Sequence, residues 1–421
     1  MNKLRIGIII DEEMIPESGG TFSYEKTLLK GIHNYAFHPD IEIINIILYD
    51  KDTSHINSKK EGLRVKSNYI VQIRNLLNKN LIALKPYLKN PVSSYIYRFF
   101  QARRSKKIET LLKKEKIDLV YYLRPEENIL DYPFIATHWD IAHRSMHPYP
   151  EIFMNGVNEN RENYYLKTLN KAFLILCESI AGAKELQKYY LFFQGKIKIL
   201  PIFSGDIINL NVLPVEQVKH LSVYNLKKQK YFIYPAQFWA HKNHYNLIFA
   251  FRELLLETKD LDLKLVLCGS DKGNMDYIKQ LVHSLSLNKS VIFTGFVSNK
   301  SLYSFYKNAI ALVMPTFLGP TNMPLIESAY LKCAVLCSDF EGHKEILGEN
   351  AIYFSPSDKN SIKISMLQVL SEEFRMNLID SAYQHINQSN FNIDKSLDIL
   401  NKILLDIIPF RKTWGTSYQI K

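Results

Sequence analysis

The stretch Gly319-Pro320-Thr321-Asn322-Met323-Pro324-Leu325-Ile326-Glu327 gathers in nine residues the groups that grip an anion. It follows the apolar run 310–314, which reads as a buried strand, and it opens a helix. Pro324 suits the first helical position, and the free N–H groups near Asn322 and Met323 carry the positive end of the helix dipole. Phosphate is the natural guest of such a corner. Glu327, about one turn into the helix, can accept two hydroxyl hydrogen bonds of the kind a ribose diol offers. The same spacing also describes an ordinary strand-turn-helix corner with Glu327 as a first-turn acid.

Each half of the chain repeats this arrangement after its first strand. Strand 4–11 is followed by Glu17-Ser18-Gly19-Gly20-Thr21, whose glycines allow close backbone approach to a ligand before a helix. Strand 231–235 is followed by Gln237-Phe238-Trp239-Ala240-His241-Lys242-Asn243. Lys242 can compensate the charge of a diphosphate, with His241 and Asn243 as further donors, although a lysine before a helix equally serves as a surface residue. No G-x-G-x-x-G occurs, which weighs against a dinucleotide-dependent dehydrogenase. Asp260-Leu261-Asp262 falls between a helix and a strand at the opposite sheet end and reads as a solvated turn, so no metal is expected.

These corners need rigid elements behind them. At 421 residues the chain suits two domains of roughly 200 residues each. Strands are expected at 4–11, 41–49, 117–123, 134–138, 173–177 and 197–201, and again at 231–235, 263–268, 291–294, 310–314, 334–338 and 351–354. Helical periodicity separates many of them, as at 245–258, where Leu247, Ile248, Phe251, Leu254 and Leu255 form one face. The fold class is therefore α/β, two doubly wound, Rossmann-like domains facing a cleft, with the ligand at the strand ends. Residues 204–230 lack a strong element pattern and read as the linker. Cys177, Cys268, Cys333 and Cys337 lie in or beside apolar runs without C-x-x-C spacing, as reduced core residues do.

The net charge of +11 is concentrated in residues 51–116, which hold 17 Lys and Arg against 4 Asp and Glu. Aromatic and aliphatic residues interleave with Lys79, Lys85, Lys89, Arg98, Arg103 and Arg104 there. This mixture suits an anionic membrane surface, or amphipathic helices that turn their cations to water; no nucleic-acid module accompanies it. With no signal peptide and no uninterrupted apolar span, the expected location is cytoplasmic, peripheral on the inner face of the cytoplasmic membrane.

Residues 237–244, Thr294-Gly295-Phe296-Val297, 315–327 and Ser338-Asp339-Phe340-Glu341-Gly342-His343-Lys344-Glu345-Ile346 resemble, in order and spacing, the nucleotide-sugar-binding half of the family 4 glycosyltransferases, which have the GT-B fold. Gly19-Gly20, residues 137–144 and Pro150-Glu151 resemble that family's N-terminal motifs more weakly. The resemblance implies an acceptor-binding domain at 1–205 with a basic insertion at 51–116, a linker at 206–230, a nucleotide-sugar-binding domain at 231–390, and a C-terminal helix and tail at 391–421 that packs on the N-terminal domain. It implies transfer of a sugar, with retained configuration, from a nucleotide diphosphate donor to a lipid-linked or oligosaccharide acceptor, without cofactor or metal. Gly319 stands where the family commonly has the first acid of a Glu-x7-Glu pair whose second is Glu327, and Gln237 where an Arg usually stands five residues before the Lys; His241 would offset part of that lost charge.

On this resemblance His138, Asp140 and Lys242 are catalytic. Gly19, Gly20, Gln237, His241, Lys242, Asn243, Gly295, Val297, Gly319, Thr321, Asn322, Met323 and Glu327 bind the donor. Gly295 and Val297 would meet the nucleobase. His143 and Arg144 face the acceptor or form a local polar network. The G-P-T-N-x-P loop is similar to those of bacterial surface-polysaccharide (O-antigen or capsule) transferases. The lost acid also leaves open a non-catalytic sugar-nucleotide-binding subunit, and the family fold a nucleotide-sugar epimerase or a soluble-acceptor transferase.

Overall fold

The structure is a computed structural model that describes residues 3–11, 19–49, 63–66, 105–125 and 129–414. Most of the basic window, 51–62 and 67–104, lies outside the described residues, as do Glu17 and Ser18. In the described end of that window, residues 105–114 are helical, with Ile108 and Leu112 buried and Lys106, Lys107, Lys113 and Lys114 turned to water.

The first domain is a seven-stranded sheet of β1 (Leu4–Asp11), β2 (Ile41–Tyr49), β3 (Leu63–Lys66), β4 (Leu119–Tyr121), β5 (Phe134–His138), β6 (Leu174–Cys177) and β7 (Ile197–Ile199), in the order β3-β2-β1-β4-β5-β6-β7. The second has six strands, β8 (Tyr231–Pro235), β9 (Lys264–Cys268), β10 (Val291–Gly295), β11 (Ala311–Met314), β12 (Ala334–Ser338) and β13 (Ile352–Phe354), in the order β10-β9-β8-β11-β12-β13. All neighbouring strands are parallel. Helices on both faces explain why these strands read as near-continuous Val, Ile and Leu. Residues 231–234, 265–267, 311–313 and 334–337 are almost wholly buried. The His244–Thr258 helix covers its sheet with Leu247, Ile248, Phe251 and Leu254, each burial contributing roughly 1.5–3 kcal/mol.

Chain order reverses between β1 and β4 in one sheet and between β8 and β11 in the other. A crevice opens at the carboxyl end of each reversal, and the two face each other. The four cysteines are free and buried, as expected.

One element departs from the expected pattern. The stretch read as a featureless linker contains a helix, Pro214–Ser222, with Pro214 in its first turn. Its exposed Val215 and Val218 blur the periodicity, and it is held to the Asn299–Asn308 helix by Asn308 Nδ2 to Gln217 Oε1 (3.0 Å) and His220 Nδ1 with Ser304 Oγ (2.8 Å). The final helix, Ile393–Lys412, lies against the first domain. Gly31 lets the two backbones approach, since a Cβ there would stand 2.9 Å from Ile393 and Leu397. Tyr35 Oη donates to Asp398 (2.7 Å), Ser396 Oγ to the Pro201 carbonyl (2.9 Å) and Arg411 Nε to Asp118 (2.5 Å).

Candidate active site

The facing crevices enclose a cavity of about 560 Å³, lined from both domains. That is room for a ligand of several hundred daltons. On the first-domain wall, Gly19 adopts φ +68°, a conformation that favours glycine, and starts the Gly20–Asn34 helix with its N-terminus on the cavity. A side chain at Gly19 would also meet Gln237 Nε2 at 3.2 Å.

Lys242 ends a tight turn after β8, and its Nζ reaches Asn322 Oδ1 at 3.5 Å. Burial pushes the ammonium pKa down to about 8, with Asp140 opposing the shift. The Asn322 amide is oriented from behind. His343 Nδ1 bonds the Ser338 carbonyl at 2.8 Å, so it carries the ring proton, and His343 Nε2 then accepts from Asn322 Nδ2 at 3.1 Å. Burial keeps His343 neutral by lowering its pKa to about 4. Asn322 Oδ1 is thereby turned to Lys242.

The loop 315–322 is tightly packed. Ser338 Oγ donates to the Thr316 carbonyl at 2.6 Å, Gly319 sits at φ +108°, and Pro320 rests on Gly342, where a Cβ would come within 1.6 Å of the Pro320 carbonyl oxygen. Asn322 caps the Met323–Tyr330 helix, which has Pro324 in its first turn. Glu327 is buried on the cavity wall, where Tyr306 Oη donates to its carboxylate at 3.3 Å and the Gly205 amide adds a second bond. Burial outweighs both and raises its pKa to about 7.

The cavity thus gathers Gly19, Gly20, Asp140, Gln237, His241, Lys242, Val297, Gly319, Thr321, Asn322, Met323 and Glu327. Five expected site residues stand off its wall. His138 is buried behind it, its Nδ1 on Tyr165 Oη at 2.9 Å, while Tyr165 donates to the Asp140 carbonyl at 2.7 Å. Asn243, in the left-handed conformation, accepts from Asn246 N (3.4 Å) and donates to the Pro315 and Pro356 carbonyls (2.8 and 2.7 Å); it ties loops together. Gly295 ends β10 at φ +67°, and its neighbours Phe296 and Val297 reach the cavity instead.

His143 accepts from Arg161 Nε at 3.0 Å, and Arg144 pairs with Glu162 above the Tyr190 ring, so both belong to a local network. That network has a use. Arg161 Nη2 reaches Asp140 Oδ1 at 2.5 Å, and although burial raises the Asp140 pKa, Arg161 and the Ala142 amide hold it below the usual range.

His241 does not offset the charge missing at Gln237. Burial lowers its pKa, and its Nδ1 and backbone N–H both engage Glu151 of the first domain, at 2.6 and 3.0 Å. Asp260 and Asp262 pair with Lys230 and Lys227 at 2.8 and 2.9 Å, in the turn before β9. Among the described residues no group of three or more His, Cys, Asp or Glu is placed to hold a metal ion.

Two residues on or behind the wall were missed in the sequence. Glu178 follows β6 directly, and an acid at the carboxyl end of an apolar run was the signal available. His343 lay within a recognised motif, but its role depends on a contact that no spacing reveals.

Residues 219–385 match the family model for glycosyl transferases group 1. The chain is 26% identical over 208 residues to O-antigen chain mannosyltransferase B of Escherichia coli, covering 49% of this chain and 54% of that protein. It is 27% identical over 166 residues to O-antigen chain mannosyltransferase RfbU of Salmonella typhimurium, covering 39% and 46%. The chain thus spans about half the length of these relatives. Among solved structures, a glycosyltransferase from Rickettsia africae superposes with a TM-score of 0.67 at 16% identity, over 97% of this chain and 99% of that one. WaaG, a glycosyltransferase involved in lipopolysaccharide biosynthesis, does so with a TM-score of 0.64 at 13% identity, over 94% and 99%. Anabaena HepE in complex with UDP-glucose gives 0.64 at 14%, over 96% and 99%. Residues 219–385 are thus similar to the glycosyl transferases group 1, and the chain has a two-domain GT-B fold.

Proposed function

We propose that this protein transfers a hexose from a nucleoside diphosphate donor to a hydroxyl of a glycan acceptor during assembly of a bacterial surface polysaccharide. The carrying observation is the convergence of Lys242, Asn322 and Glu327 on one cavity between the domains. The mannosyltransferase relatives make mannose the first donor sugar to test.

In this reading Phe296, Val297 and Leu302 pack against the base, Glu327 takes the ribose hydroxyls, and the diphosphate lies between Lys242 and the amide end at Asn322. Lys242 and those amides stabilise the charge that grows on the diphosphate as its bond to the anomeric carbon breaks. The acceptor oxygen bonds to that carbon from the same face, its proton passes to the departing phosphate oxygen, and configuration is retained. Lys242 supplies the counter-charge, so transfer proceeds without a metal. His138 acts through Tyr165 on the Asp140 loop and is a positioning residue.

The basic window supports docking on an anionic inner-membrane surface and a lipid-linked acceptor. Among the described residues no helix is long and apolar enough to cross a membrane. Gly319 favours one competing reading, a subunit that binds nucleotide sugar without transferring it.

Mass-spectrometric detection of extended acceptor from GDP-mannose, UDP-glucose and related donors separates the two. Transfer that survives EDTA and vanishes in Lys242→Ala and Glu327→Ala is expected. Nucleotide-sugar binding without product from any acceptor supports the competing reading. The anomeric configuration of the product, read by NMR, tests retention.

A further inference from the structure

Glu178 is a carboxyl that the donor-site description leaves unused. It stands on the first-domain wall of the cavity, 6% exposed. Its Oε1 accepts a hydrogen bond from Thr321 Oγ1, across the cleft. Among the described residues no Lys or Arg pairs with it, and the charged groups acting on it are the acids Asp140 and Glu345. Burial, only partly offset by the Thr321 hydrogen bond, raises its pKa to about 8. At neutral pH such a carboxyl is mostly the acid, with one O–H to donate and a carbonyl oxygen to accept.

Its place along the cavity indicates what it meets. Phe296, Val297, Glu327 and Lys242 line the same cavity, and Lys242 is bonded to Asn322. Thr321 is the next residue along the loop, and Glu178 stands opposite it on the other domain. A ligand whose diphosphate rests on Lys242 and whose nucleoside lies toward Glu327 extends its remaining group to the first-domain wall. There it meets Glu178 and Asp140. Asp140 is committed to Arg161 and the Ala142 amide, whereas among the described residues the Glu178 carboxyl has only Thr321.

We propose that Glu178 is a specificity-determining residue, whose carboxyl, oriented by Thr321, hydrogen-bonds a hydroxyl of the transferred sugar and makes no contact with the nucleotide. This rests on the donor-site reading above. It predicts that the free energy gained when a sugar is added to the nucleoside diphosphate depends on position 178, and that affinity for the nucleotide alone does not.

The test is calorimetric titration of the full chain with four probes, GDP, GDP-mannose, UDP and UDP-glucose. Wild type is expected to prefer one nucleotide sugar over its parent nucleotide. In Glu178→Leu that preference falls at least tenfold while the nucleotide's own Kd stays within twofold. Glu178→Gln, which keeps a donor and an acceptor, retains most of the preference and guards against misfolding of the leucine variant. A preference unchanged in Glu178→Leu, or equal loss for nucleotide and nucleotide sugar, overturns the assignment and leaves the donor site standing. Wild type that binds none of the four probes overturns the donor-site reading, and this assignment with it.

Discussion

Lys242 holds its proton only up to about pH 8, because burial disfavours the charged form. Binding a diphosphate requires that charge, so affinity for GDP or UDP is expected to fall as pH rises through 8, in calorimetry at fixed ionic strength. Lys242→Ala should weaken binding by roughly 10- to 100-fold, the worth of a charge-assisted hydrogen bond at ~1.5–3 kcal/mol, and should flatten the pH dependence. The buried acids act on stability instead. Glu178 and Glu327 have folded-state pKa values raised to about 8 and 7. Their contribution is therefore complete below the unfolded value near 4.5 and is lost as pH rises through 7 to 8. Lys242, with a depressed pKa, titrates with the opposite sense, its contribution present above 10.5 and lost as pH falls through 8. Comparing Glu178→Gln with wild type isolates the acid: the variant should gain stability relative to wild type between pH 5 and 9 in urea unfolding. A constant difference across that range would show that Glu178 does not titrate there.

Among the elements, the loop 315–322 is held by the fit of Pro320 onto Gly342. Gly342→Ala should cost about 1–3 kcal/mol by overpacking, read as a lower denaturant midpoint at unchanged slope, and should weaken nucleotide binding by displacing Asn322. The strands that carry this loop were legible in the sequence because burial on both faces leaves uninterrupted Val, Ile and Leu runs. Gly319, Pro324 and Glu327 were legible because a strand-turn-helix corner needs those residue types at those offsets. What the sequence could not show is the direction in which a side chain points. Thr137 and His138 alternate at the end of β5, Thr137 bonding the Tyr122 carbonyl and His138 turning to Tyr165. Asn243 and Gly295 sit in the expected loops but serve the backbone. Glu178 and His343 act through partners more than twenty residues away or across the cleft, and no local pattern carries that information.

Across the whole molecule, among the described residues, the carboxyl groups of Glu345, Glu151 and Glu178 bridge the domains. Glu345 of the second domain accepts from Ile180 N and Ala181 N, both at 2.8 Å, at the start of the Ile180–Tyr189 helix. Glu151 of the first holds His241, and Glu178 holds Thr321. The form described here is thus a closed one, and closure of this kind completes a site and excludes water. Glu345→Ala should open the ligand-free protein, seen as a larger radius of gyration in small-angle scattering, with GDP-mannose or UDP-glucose restoring the compact form; an unchanged radius would show that this contact does not hold the domains. For the basic window, cosedimentation with vesicles should be stronger with phosphatidylglycerol than with phosphatidylcholine alone and should weaken with salt.

Whether the cavity at the two chain reversals is a sugar-donor site is read out by donor turnover. Wild type and Lys242→Ala are incubated with a panel of nucleotide hexoses and a surface-polysaccharide oligosaccharide, and nucleoside diphosphate release is measured alongside acceptor mass. Release is expected from one donor, matched by a hexose increment on the acceptor and lost in Lys242→Ala. Release and transfer that persist in Lys242→Ala, or a wild type that neither binds nor consumes any donor, would contradict it.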